Sequence, residues 1–98
     1  MDELRAKLTA SLGQTDWPPL GPHARRQALF EVHDLELVEV GLAIARDRSA
    51  IVEHWLASGS ISRPSAERVA AFEVDESARF ETLIVQPFVL FRPVGPES

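Results

Sequence analysis

Three histidines, His23, His33 and His54, and fifteen acidic residues are the groups in this 98-residue chain that could move a proton or hold a metal. Their spacing suits neither task. His33, Glu36 and Glu39 stand three apart, so they could share one face at the start of a helix. The simpler reading is a capped helix with carboxylates near its positive end, because catalytic sites draw convergent groups from several elements. His54, beside Glu53 on a polar arc, reads as a solvated histidine. Nucleophilic catalysis would fall to serines, since the chain has no cysteine. None sits in a GxSxG elbow or an SxxK pattern, and Ser58-Gly59-Ser60 reads as a helix end. Five glycines scattered singly cannot build a phosphate cradle. The sequence therefore predicts no catalytic residue, no cofactor and no metal site. An enzyme of unfamiliar design ranks third among the functional readings.

Composition narrows the remaining classes. An apolar fraction of 45% and a charged fraction of 26% are those of a folded globular protein. This length supports one core, so residues 1–98 are read as a single domain. The net charge of −5 disfavours nonspecific affinity for nucleic acid or anionic lipid. No apolar run approaches the roughly 20 residues that span a bilayer, and the start MDELRAKL is too charged for a secretory signal. Without cysteine there is neither a disulfide nor a thiolate metal site. The expected location is the cytoplasm, with no membrane association.

The elements that must position any site follow from periodicity. Leu4, Leu8 and Leu12 form a stripe on a helix over residues 2–12, closed by Gly13. Asp16 can cap a short turn containing Trp17 and Pro18, which Gly21 and Pro22 should break. Ala28–Val32 reads as a strand. Asp34 caps a helix apolar around most of its circumference, with Glu36, Glu39, Arg46 and Asp47 on one narrow arc. Gly41 on its buried side suggests close approach of another backbone. Asp47 or Ser49 caps the next helix and Gly59 ends it. Ser60–Arg63 is a short strand, and Ser65–Glu76 a helix turning Val69, Ala70 and Phe72 inward. Phe80–Arg92 reads as one apolar strand in which Pro87 marks a bulge, bend or edge position. Residues 93–98 form a loose tail. The expected fold is α+β, with about four helices packed on a small sheet of three to four strands.

Strand, helix, turn, helix, strand is also the order in which a winged helix presents its reader. The charges argue against that use. DNA affinity rests on phosphate neutralisation, yet the would-be recognition helix has only Arg48 at its start and exposes Glu53. A helix also follows where a wing should stand. Trp55 reads as core. Trp17 is a candidate interface anchor. Phe88 and Phe91 are candidate interface residues if the C-terminal strand lies at a sheet edge, where unpaired backbone would favour a homodimer.

Taken together, the N-terminal helix, Trp17, LELVEVGLAIARD, VEHWLASG and the closing IVQPFVLF resemble the small bacterial proteins grouped as domain of unknown function 2288. The similarity runs from about Leu4 to Phe91. Its most specific parts are Leu35–Val40 with Asp47, Val52–Gly59 with Trp55, and Val85–Leu90 around Pro87. The chain departs from the pattern at Pro18, Pro19, Gly21 and Pro22, where a smooth helical segment is usual, and at Phe72, where a tryptophan is expected. The resemblance implies a cytoplasmic bacterial protein and supplies no activity. Glu39 and Asp47 match its pattern on the polar arc and are the candidate polar contacts, against the simpler reading of a solvated face and a helix cap. The functional expectation is a noncatalytic interaction module for a protein partner or a second copy. Winged-helix-like DNA binding is the alternative.

Overall fold

The computed structural model describes residues 2–94. Its elements run α1 (Glu3–Ala10), β1 (Gly13–Thr15), α2 (Gly21–Arg25), β2 (Leu29–Val32), α3 (Leu37–Ala45), α4 (Ser49–Ser58), β3 (Ile61–Ser62), α5 (Ala66–Val74), β4 (Phe80–Val85) and β5 (Phe88–Pro93). The strands make one sheet in the order β1-β4-β5-β2-β3. β5 and β2 run parallel, and the other pairings are antiparallel. The α+β architecture is the expected one, with five helices and five strands among the described residues. The order β2-α3-α4-β3 is also present, but α5 follows it and no wing does.

Side-chain alternation along the strands divides the core into two layers. On one face Phe30, Val32, Leu83, Val85 and Leu90 pack with Leu8 of α1 and with Leu37, Val38, Val40 and Leu42 of α3. On the other, Leu29, Phe80, Val89 and Phe91 pack with Trp17 and Leu20, and α5 adds Val69 and Phe72. Trp17 is the hub of that second layer. Its ring lies 5.1 Å from Phe72, 5.7 Å from Phe80 and 6.1 Å from Phe91, centroid to centroid.

Several local expectations are corrected. Pro87 does not interrupt a single strand; Gln86 and Pro87 form the turn of a hairpin in which Val85 lies opposite Phe88. β5 is therefore interior, with β4 on one side and β2 on the other. A dimer built on its free edge has no free edge to use. Gly13, expected to end a helix, opens β1 instead, because Gly13–Thr15 finds a partner in β4. Gly21 and Pro22 begin α2 rather than break a helix, since proline is tolerated in a first turn where its missing N–H is not needed. α3 starts at Leu37, after Glu36, so Asp34 is not its cap. Ala70 faces solvent. Pro93 belongs to β5, and the Val94 N–H donates to the Arg79 carbonyl at 2.8 Å. The rest of the expected loose tail, 95–98, lies outside the described residues.

Gly59 ends α4 as the sequence requires. It sits in the left-handed region at φ 84°, and the next N–H, from Ser60, donates back to the Trp55 carbonyl at 3.0 Å. Gly41 is needed for a different reason. A Cβ there would stand 2.8 Å from Leu83 Cδ2 and 3.3 Å from Val85 Cγ2. What approaches α3 is thus the side-chain layer of β4, not another backbone. Gly41→Ala should lose about 1 kcal/mol net, the cost of overpacking exceeding the roughly 1 kcal/mol gain in helix propensity. Urea unfolding of the variant checks this, and a stabilised Gly41→Ala protein would show that Leu83 moves aside freely.

Candidate functional site

The sequence-picked residues do not gather in one place. His33 lies just beyond β2, where its Nε2 is 2.9 Å from Ser62 Oγ on β3. Glu39, in the first turn of α3, accepts from Arg5 Nη2 at 2.7 Å. The His33-Glu36-Glu39 cluster is therefore not formed. The late start of α3 leaves His33 outside the helix, and its neighbour comes from across the sheet. His23 receives the Arg26 guanidinium at Nδ1, and His54 is exposed on α4. Among the described residues no three histidine or acidic side chains converge as metal ligands.

The His33–Ser62 pair has the separation of a nucleophile and its base, and sequence reasoning missed it. Only the antiparallel pairing of β2 with β3 brings the two together. Among the described residues no carboxylate bonds His33 as the third member of a triad. Glu31, on the same sheet face, is bound instead by Arg68, whose Nε donates to Oε1 at 2.7 Å and whose Nη2 donates to Oε2. Glu31 is 1% exposed, the one buried charged residue among those described. The bidentate bond to Glu31 raises the Arg68 pKa above its ordinary value. Arg68 also stacks over the Phe72 ring at 5.0 Å. Among the described residues, the five best-formed cavities are lined by side chains other than His33 and Ser62.

Trp17 and Phe91 are core residues, 5% and 0% exposed, and Phe88 is half-buried against Phe30. As placed, Trp17 and Phe91 serve the second core layer and offer no outer anchor. Val74, Ile84 and Val94 are exposed singly, whereas α4 carries two exposed large apolar residues on one helix. That helix has no buried side chain, although Ile51, Val52, Trp55 and Leu56 are four of its ten residues. Ile51 is 37% and Leu56 43% exposed. Trp55, expected as core, is half-buried and packs against the first layer from outside.

Both polar candidates flank this helix. Glu39 lines a groove of about 230 Å³ with Arg5, Arg46, Arg48, Ile51 and Trp55. Asp47 lines another, of about 220 Å³, with Ile44, Arg48, Val52 and Glu53. Asp47 does not cap α4, which follows Arg48 without a side-chain bond. It makes the reversal between α3 and α4 in a left-handed conformation, φ 58°, which aspartate tolerates better than most residues.

A family model described as "Protein of unknown function (DUF2288)" matches residues 3–93. The chain belongs to the DUF2288 family. The match takes in every element from α1 to β5, so both grooves beside α4 and the Trp17 cluster are parts of the DUF2288 domain. The NMR solution structure of PA1075 from Pseudomonas aeruginosa is similar throughout, with a TM-score of 0.80 and 28% identity, covering 100% of this chain and 91% of that one. No curated protein matches the chain significantly. No helix of the described residues is long and apolar enough to cross a membrane.

Two measurements test this electrostatic framework. Arg68→Met leaves the Glu31 carboxylate buried without a partner and should cost about 2 kcal/mol, toward the low side for a broken buried pair because Arg68 is half exposed. Glu31→Leu combined with Arg68→Met should recover most of that loss in urea unfolding; additive losses would mean the pair is not the determinant. Asp2 caps α1 by accepting from the Arg5 N–H at 3.2 Å and pairs with Arg46 at 2.7 Å. The Arg5 N–H first, and Arg46 second, hold its pKa below the ordinary 3.8. Its contribution is full above that value and disappears as pH falls through the folded-state pKa. The stability gap between wild type and Asp2→Ala should therefore be visible at neutral pH and close below 3.8.

Proposed function

We propose that this protein is a noncatalytic interaction module that docks a partner protein along α4. The observation that carries the reading is the exposure of Ile51 and Leu56 on a helix with no buried side chain. Amphipathic helices normally sink one face into their own core. Here the flanks of that face remain open, and the Ile51 flank lines a groove. The diversion of Glu31 to Arg68, which takes that carboxylate from the Ser62–His33 pair, supports a noncatalytic role.

The partner that fits is an amphipathic helix with acidic flanks. The groove on the Ile51 side has an apolar floor of Leu42, Ala43, Ile51 and Trp55, suited to a helix laid along it. Its rim carries three arginines, of which Arg5 is matched by Glu39 and Arg46 by Asp2. Arg48 makes no ion pair among the described residues, so a rim of local positive charge stands on a chain of net charge −5. The helix itself, from Ser49 to Ser58, has no lysine or arginine, which favours a protein over a nucleic-acid phosphate backbone.

A photoreactive side chain placed at position 51, with position 71 on α5 as control, tests this in the native cell. The expected result is one dominant adduct with a different protein at position 51, lost on Arg48→Glu and absent at position 71. The companion variant Ile51→Glu/Leu56→Glu should keep the wild-type fold, since both side chains already meet solvent, and should lose the partner. Adducts only with copies of the same chain, or adducts indifferent to Arg48, overturn the reading.

A further inference from the structure

We infer that the cavity between α2 and the C-terminal end of α5 is a binding site for a small zwitterion with more ammonium than carboxylate, of the chemical class of a free basic amino acid. It lies on the second face of the sheet, away from α4, and rests on separate observations. The cavity measures about 380 Å³, within the range of small-molecule sites. Trp17 and Phe72 give it aromatic walls, and Gly21 opens its floor.

Two hydrogen-bond donors converge on that opening. Trp17 is 5% exposed, and the indole N–H of so buried a ring normally has a hydrogen-bond partner. Among the described residues this one has none, yet it is not sealed from solvent. A Cβ added at Gly21 would stand 3.6 Å from Trp17 Nε1 and 3.5 Å from Arg25 Nη1. The space that the missing side chain leaves is thus within reach of both an indole N–H and a guanidinium. Arg25 makes no ion pair among the described residues. A carboxylate placed over Gly21 would satisfy both donors, the guanidinium with a charge-assisted bond.

The remaining wall requires the opposite charge. Asp16, Glu73, Asp75 and Glu76 line the same cavity. Four carboxylates against one guanidinium leave three uncompensated negative charges. Asp75 is held ionised by the side-chain hydroxyl and the N–H of Ser77, at 2.7 and 3.0 Å, which lower its pKa. A ligand with one carboxylate and two cationic groups meets both requirements, and its cation has the Trp17 and Phe72 rings beside it.

The chain has two tryptophans, so the two indole N–H signals in a nitrogen–proton correlation spectrum report the site directly, Trp55 serving as internal control. Titration with L-lysine and with L-arginine to about 10 mM, a weak-binding range, should shift the Trp17 signal saturably and leave that of Trp55 in place. Putrescine, which lacks a carboxylate, and acetate, which lacks an ammonium group, should each bind at least about tenfold more weakly. Gly21→Ala puts a methyl group where the carboxylate would sit, at ordinary contact distances, so it should abolish the response and keep the fold. Arg25→Gln should weaken binding about tenfold or more. An unmoved Trp17 signal, putrescine binding as well as L-lysine, or a Gly21→Ala protein that binds normally would each overturn the assignment. None of these outcomes bears on docking at α4.

Discussion

Burial of β5 on both faces and both edges is the constraint that the other elements satisfy. Val89 and Phe91 point into one layer and Leu90 into the other, at 4%, 0% and 0% exposure. Each side chain stabilises the fold by roughly 2 kcal/mol only if its own layer excludes water, so helices are required on both sides of the sheet. α3 supplies one side, and Gly41 lets it settle onto Leu83 and Val85. The other side has only the five residues of α2 and the half-buried face of α5. Trp17 makes up the deficit. One large ring bridging Phe72, Phe80 and Phe91 closes a layer that two thin helices leave incomplete.

The cover on that side is also held by a charge. Glu31 points from β2 into the second layer, where an unpaired carboxylate would be costly. Arg68 reaches it from α5 while lying over Phe72. The ion pair and the aromatic contact therefore fix the same helix over the same patch of sheet. Such a pair adds little net stability compared with an apolar replacement. Its effect is positional, because α5 has one register in which Glu31 is satisfied. The Ser65 hydroxyl, accepting from the Arg68 N–H at 3.1 Å, sets that register from the helix start.

Where a signal was local, it was legible in the sequence. Gly59 ended α4, Ser65 marked the start of α5, and the apolar content of α3 announced a helix packed on more than one side. Signals that depended on a distant partner were not legible. Gly13 looks like a helix end unless β4 is known to be waiting beside it, and Pro22 looks like a break unless the preceding turn is seen to lead into a new helix. Pro87 carried its meaning, but a hairpin turn and an interrupted strand present the same run of residues. That one ambiguity decided the position of β5, and with it whether Phe91 faced a partner or the core. The candidate surfaces were half visible. Glu39 and Asp47 were named without the grooves they line, and Trp17 was marked as an anchor when its polar edge, over Gly21, was the feature of interest.

The exposed flanks of α4 follow from the width of its apolar arc. At 100° per residue, Ile51 and Leu56 stand about 140° apart, with Trp55 and Val52 between them. A single neighbouring helix covers the middle of such an arc and leaves its margins. α3 is that neighbour, which is why Trp55 and Val52 are half-buried while Ile51 and Leu56 meet solvent. Rotating α4 about its axis would bury one margin only by exposing the other. No adjustment within the chain covers both, so complete burial of this face requires a second neighbour, and the two grooves are where one would lie. Arc width alone sets this requirement, for a permanent neighbour or a transient one.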